Sequence, residues 1–135
     1  MSTEEKFETI VLEPIFGEAG DYLLSTQIHD PLGDLSLILV RYGDEDDSIE
    51  VTLTGVEFYY VSVQNFSMDY EFEINGKGRR PCVGRAMDSQ MLRRLRAGPN
   101  FYGLERDRLQ HLFVLGGEVL LDVILTGDVV VNSTK

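Results

Sequence analysis

The residues of this chain that could do chemistry are few, and their spacing assembles no catalytic set. "DEDDSIE" (44–50) places Asp44, Asp46, Ser48 and Glu50 at alternate positions, the oxygen spacing of a calcium loop. Such a loop needs glycine at its sixth position and a helix on each side. Ile49 stands there instead, and a strand pattern follows, so no metal is expected. One cysteine and two distant histidines, His29 and His111, cannot make a local zinc site. Cys82 would act as a nucleophile only beside a base. Arg79, Arg80 and Arg85 would lower its pKa, and His111 could approach it in space, but no spacing brings the two together. A small half-buried side chain is the simpler reading. Carboxylate pairs arise by chance in a chain this acidic. The expectation is therefore a protein that is not an enzyme, with no catalytic residues and no cofactor.

"NGKGRRPCVGR" (75–85) is the one stretch that looks like an anion grip, with Lys77, Arg79, Arg80 and Arg85. It is not a phosphate loop of the G-x-x-x-x-G-K-[ST] kind, and Pro81 stands where a dinucleotide motif would run on into a helix. With Phe101 and Tyr102 it could stack single-stranded bases. The chain as a whole would repel a polyanion: it carries 12 basic and 23 acidic side chains, a net charge of −11. Nucleic acid is therefore an unlikely partner, and an anionic membrane is excluded on the same ground. The distribution says more than the sum. Residues 1–75 hold 17 acidic and two basic side chains, a net −15, whereas residues 76–135 hold six acidic and ten basic, a net +4. Either the two halves face each other, within one molecule or across a homodimer, or one charged surface meets a partner of opposite sign.

The elements that must position these residues are mostly strands. With 135 residues and 43% hydrophobic content, the chain suits a single domain over 1–135 with its own core. No apolar run is long enough to span a bilayer, "MSTEEKFETI" lacks a secretory pattern, and the lone cysteine forms no internal disulfide; a cytoplasmic location is expected. Strands are predicted over 7–14, 21–28 and 35–42. The last is apolar on both sides and reads as a strand covered on both faces. "GDEDDS" (43–48) reads as a connecting loop. "IEVTLT" (49–54) alternates, and the phase slips by one at Gly55 before Val56, Phe58 and Tyr60. That pattern fits a β-bulge inside one strand or a break into two. "MDYEFEI" (68–74) alternates again. Met91, Leu92 and Leu95 share one narrow arc, with Asp88 or Ser89 as cap and Gly98-Pro99 as stop, which predicts a helix over 88–96. "LQHLFVL" and "EVLLDVIL" form a hairpin about Gly116-Gly117, and 128–131 adds a last strand. The fold class is mainly β (α+β): an antiparallel β-sandwich or strongly bent sheet of about eight strands with one short helix.

Binding residues follow from this frame. Asp69, Glu71 and Glu73, spaced by two, project from one side of a strand. Asp44, Glu45, Asp46, Asp47 and Glu50 extend that acidic face if strands 49–54 and 68–74 are neighbours. Among the three consecutive aromatics Phe58, Tyr59 and Tyr60, one side must turn away from the core, and Tyr59 is the candidate interface anchor. These nine residues, Phe58 and Tyr60 apart, form the expected contact surface for a protein partner with a basic surface.

"LSLILVRYGDEDDSIEVTLTGVEFYYV" and "LQHLFVLGGEVLLDVIL" together resemble small β-rich immunity proteins of bacterial toxin systems. The first is a hairpin across an acidic segment followed by a Gly-Val-aromatic strand; the second is a hairpin opening on Gln-His-Leu-aromatic. They cover about a third of the chain. The resemblance implies a protein that binds and neutralises a cognate toxin, often a basic nuclease. It carries over no functional residue.

Overall fold

The computed structural model describes residues 8–31, 33–63, 70–74, 80–97, 108–117 and 119–133. Ten strands and one helix follow in order: β1 (Glu8–Phe16), β2 (Tyr22–His29), β3 (Leu35–Arg41), β4 (Asp44–Leu53), β5 (Val56–Val63), β6 (Tyr70–Ile74), β7 (Val83–Ala86), α1 (Gln90–Ala97), β8 (Gln110–Gly116), β9 (Val119–Leu125) and β10 (Val129–Ser133). They build two sheets, one ordered β5-β9-β8-β7-β1-β6 and the other β10-β4-β3-β2. The fold is mainly β, a sandwich-like pair of antiparallel sheets with one short helix. The exception to antiparallel pairing is β6, which adds to β1 in parallel.

The core lies between the sheets. Leu35, Leu37, Leu39, Ile49, Val51 and Leu53 from the four-stranded sheet meet Val83, Leu112, Val114, Leu121, Val123 and Leu125 from the six-stranded sheet. Strand period two puts each set on one face. The six-stranded sheet is apolar on its second face too, where its own edge strand β6 reaches β8 through Phe72 and Phe113 and where α1 covers the rest of the patch. Ile10, Leu12, Phe113, Leu115 and Leu120 pack there with Phe72 and Ile74. Leu92, Met91 and Leu95 of α1 cover Leu109, Ile124 and Phe58. Strand β3 does not follow the expectation of two covered faces. Leu35, Leu37 and Leu39 are fully buried, whereas Ser36, Ile38 and Val40 on the other face are only partly so.

Gly55 is where the chain breaks into two strands rather than bulging within one. Strand β4 belongs to one sheet and β5 to the other, and Gly55 makes the crossing at φ +64. The second crossing at that corner, between β9 and β10, lies against it. Thr126 N–H donates to Gly55 O (2.9 Å) and Thr54 N–H to Asp128 O (3.0 Å). A Cβ on Gly127 would stand 2.3 Å from Thr54 O, so only glycine fits that approach. Strand β1 runs on past Pro14 to Phe16 through a register shift between those two residues, a position that tolerates the missing N–H.

Helix α1 is capped by Ser89, the residue just before it, whose C=O accepts Arg93 N–H at 3.0 Å. Ser89 Oγ accepts Leu92 N–H at 3.1 Å, and Glu8 Oε2 from β1 accepts Gln90 N–H at 2.7 Å. Both satisfy donors that a helix start leaves free. The β8–β9 turn sits one residue later than the sequence pattern implies: Gly116 pairs with Val119 as the last strand residue, and Gly117 takes the positive φ of +72.

Candidate functional site

The acidic segment 44–47 is not a loop. Strands β3 and β4 meet through Tyr42-Gly43, with Arg41 paired to Asp44, so the carboxylates occupy the first positions of β4. Asp44, Glu45 and Asp46 are exposed, and Asp47 and Glu50 partly so. Asp44 Oδ1 accepts the N–H of Asp46 at 3.2 Å. Asp47 lies 3.7 Å from Arg41, whose guanidinium also sits 5.7 Å over the Tyr22 ring. Tyr42, beside them, is 71% exposed. It adjoins a groove of about 680 Å³ lined by Leu23, Leu24, Val40, Tyr42 and Glu45. From there the outer face of the four-stranded sheet continues through Val40 and Ile38 to Ile28, 59% exposed, and Val130, 44% exposed.

The expected union of two acidic segments does not occur. Strand β4 lies in the four-stranded sheet and β6 at the edge of the other, because the chain changes sheets at Gly55. Glu50 faces Ile38 and Asn132, whereas β6 pairs Glu71 with Thr9 and Glu73 with Val11. Asp69 and the side chains of Glu71 and Glu73 lie outside the described residues. The aromatic run also resolves differently from the expected anchor. Tyr59 turns toward the inter-sheet core and stands edge-on to His29, ring centroids 5.5 Å apart. Phe58 goes under the helix, and Tyr60 is the aromatic of the three that faces solvent. The exposed tyrosine beside the carboxylates is Tyr42.

Cys82 and His111 lie on opposite sides of the six-stranded sheet. Cys82 packs in the inter-sheet core with Leu112 and Val114, where its Sγ approaches Leu115 O at 3.4 Å. Burial, helped by the negative charge of Asp21, pushes its thiol up to about 12. Such a thiol is inert at neutral pH. His111 shares the other face with Phe113, its ring centroid 4.2 Å from that of Phe113.

On that face the structure brings together three residues that sequence spacing kept apart. Ser89 Oγ lies 2.9 Å from His111 Nδ1, and His111 Nε2 lies 2.7 Å from Asp122 Oδ1. One proton arrangement is consistent with these contacts. The Ser89 hydroxyl donates to Nδ1, Nε2–H donates to the carboxylate, and Oγ still accepts Leu92 N–H. The residue types are those of a hydrolytic triad, but the geometry opposes that chemistry. Ser89 and His111 have no solvent-exposed surface and Asp122 almost none, and the hydroxyl is committed to capping α1. The arrangement fastens the helix to the sheet. A signal for it stood in the sequence: Asp122 interrupts the apolar run of β9, and alternation about the turn puts it on the same face as His111.

Among the described residues, no group of three or more His, Cys, Asp or Glu is arranged to hold a metal ion. None of their helices is long and apolar enough to cross a membrane. Comparison with protein-family models, with curated proteins and with solved structures found no match.

Proposed function

We propose that the chain is a non-catalytic acidic protein-binding module, whose partner presents a basic surface. The proposed contact surface is the β3–β4 hairpin with the adjoining outer face of the four-stranded sheet. The observation that carries this reading is the hairpin itself. Asp44, Glu45 and Asp46 stand exposed beside an exposed Tyr42, next to an apolar sheet face. A charged rim around an aromatic anchor is how protein interfaces combine steering with affinity. The resemblance to immunity proteins supports a toxin, such as a basic nuclease, as the partner class. The net charge of −11 disfavours a nucleic acid in that role.

The test is partner recovery from a lysate of the source organism, in parallel for three forms of the full chain. These are the wild type, Asp44→Lys/Glu45→Lys/Asp46→Lys, and Asp69→Lys/Glu71→Lys/Glu73→Lys. Loss of the same partner from the hairpin variant alone supports the reading, and loss only from the second variant moves the surface to the β6 edge. Equal recovery by all three rules out acidic-face binding.

A second reading, a structural protein acting as a homo-oligomer, is favoured by the uncovered Ile28 and Val130 on one sheet face. Sedimentation at low and high salt separates the two. Self-association that strengthens as salt screens the acidic hairpins, with no heterologous partner, favours assembly.

A further inference from the structure

The helix side of the molecule holds a cleft of about 600 Å³ where the local charge is opposite to that of the whole. Arg85 of β7, Arg96 of α1 and Arg108 line it, together with Glu13, Gln110 and Asp128. The described residues include seven cationic side chains, at 41, 80, 85, 93, 94, 96 and 108, and three of them converge here from separate elements. The walls are fixed. Arg96 Nη2 donates to Leu109 O at 3.1 Å, which holds its guanidinium at the helix end. Gln110 Nε2 donates to Gly127 O at 2.9 Å, in the corner where only glycine fits.

Arg85 gives the cleft its chemical direction. Its Nη1 donates to Glu13 Oε1 at 3.1 Å. Its Nε is buried and has no acceptor, the one side-chain polar atom in that condition among the described residues. A buried donor of a charged group without an acceptor is costly. The Nε edge of a guanidinium is also one of the two that grip a carboxylate or phosphate in a bidentate fashion. Arg85 itself lines the cleft.

We propose that this cleft binds a small multivalent oxyanion, the phosphoryl or carboxylate group of a soluble molecule, through Arg85, Arg96 and Arg108. Glu13 opposes binding by competing for Arg85. The site is independent of the partner-binding surface, since β4 alone separates the hairpin tip from the corner beside the cleft by about 30 Å.

The experiment titrates the full chain with inorganic phosphate and, separately, with succinate, following backbone amide shifts. Saturable shifts at 85–87, 108–110 and 126–128 are expected. Arg96→Gln and Arg108→Gln each weaken binding about tenfold, as the loss of one charge-assisted contact requires. Arg94→Gln, exposed and outside the cleft, leaves it unchanged. Glu13→Gln tightens it, a sign that loss of folding cannot mimic. Tighter binding of phosphate assigns the phosphoryl class and tighter binding of succinate the carboxylate class, each in support. Absence of saturable binding of either probe overturns the proposal. So does a loss in Arg94→Gln equal to that in Arg108→Gln, or weaker binding by Glu13→Gln.

Discussion

His111 Nε2 and Asp122 Oδ1 meet at 2.7 Å as diagonal neighbours on β8 and β9, beneath a helix whose cap is the third member of the chain. Removing Asp122 takes away the carboxylate that His111 Nε2 meets, while Ser89 keeps its bond to Leu92 N–H. Asp122→Ala is expected to cost about 1–3 kcal/mol, the range for losing a buried hydrogen bond to a charged group. The double variant His111→Phe/Asp122→Leu should cost less than the sum of the single changes, because neither member of the His111–Asp122 pair is left facing an apolar replacement. Urea denaturation of the four proteins in this cycle measures the coupling. Additive losses would remove the network as the fastener of α1.

Cys82 makes stability fall at alkaline pH. Its folded pKa is raised, from 9.0 to about 12, so above pH 9 the unfolded chain releases a proton that the folded chain keeps. The folded state then binds more protons, and stability declines as pH rises from 9 toward 12. Cys82→Ala should flatten that part of the stability profile, measured by denaturant midpoints at pH 8, 9 and 10. The wild-type thiol should also react with a disulfide reagent only as fast as the core opens.

Tyr42 and Tyr59 should separate binding from stability. Tyr59→Ala removes a ring packed on the inter-sheet core and should lower stability by about 1–3 kcal/mol. Tyr42→Ala, at a 71% exposed position, should change stability by less than about 0.5 kcal/mol while weakening partner capture. Thermal melts and the recovery assay on both variants decide this. Equal destabilisation by both would contradict the placement of the rings.

The corner between the sheets should be the most substitution-sensitive backbone in the molecule. An alanine at 127 brings Cβ to 2.3 Å from Thr54 O, and both crossings would have to part to admit it. The expected cost of Gly127→Ala is about 3 kcal/mol or more, read as a drop in denaturant midpoint. A fully stable Gly127→Ala protein would mean that the crossings are not tied as described.

Local pattern made some of this architecture legible and long-range pairing hid the rest. Met91, Leu92 and Leu95 with the Ser89 cap located α1 to within two residues, because helix periodicity and capping are local. Alternation gives the second half of β4, from Ile49, and the β8–β9 hairpin. The slip at Gly55 was visible, but whether it meant a bulge or a change of sheet depended on where β9 and β10 lie, some 70 residues later. The parallel pairing of β1 with β6 depends on the same kind of distant contact. The apolar outer side of β3 misled because Ile38 and Val40 look like core residues, although nothing among the described residues covers them fully. The carboxylates at 44–47 were found as a group, but not Tyr42 as their neighbour. The two-residue turn that exposes Tyr42 was read as a longer acidic loop. Arg85, Arg96 and Arg108 converge through three elements, which no spacing in the sequence announces.

The order of the strands along the chain has a consequence for how this protein is made. Strands β2, β3 and β4 are consecutive, and their apolar inner face is complete by Leu53. Most of its cover, Leu112 to Leu125, begins 59 residues further on. At roughly 5–20 residues per second of synthesis, that face waits on the order of ten seconds on the ribosome. During that wait the emerging chain carries more than the whole acidic excess of the finished one, a net −15 over residues 1–75 against −11 in all. Neighbouring nascent chains with bare sheet faces then repel one another before they can pair. On this ordering the acidic excess would keep unfinished chains apart by charge, whatever its carboxylates contact in the finished molecule.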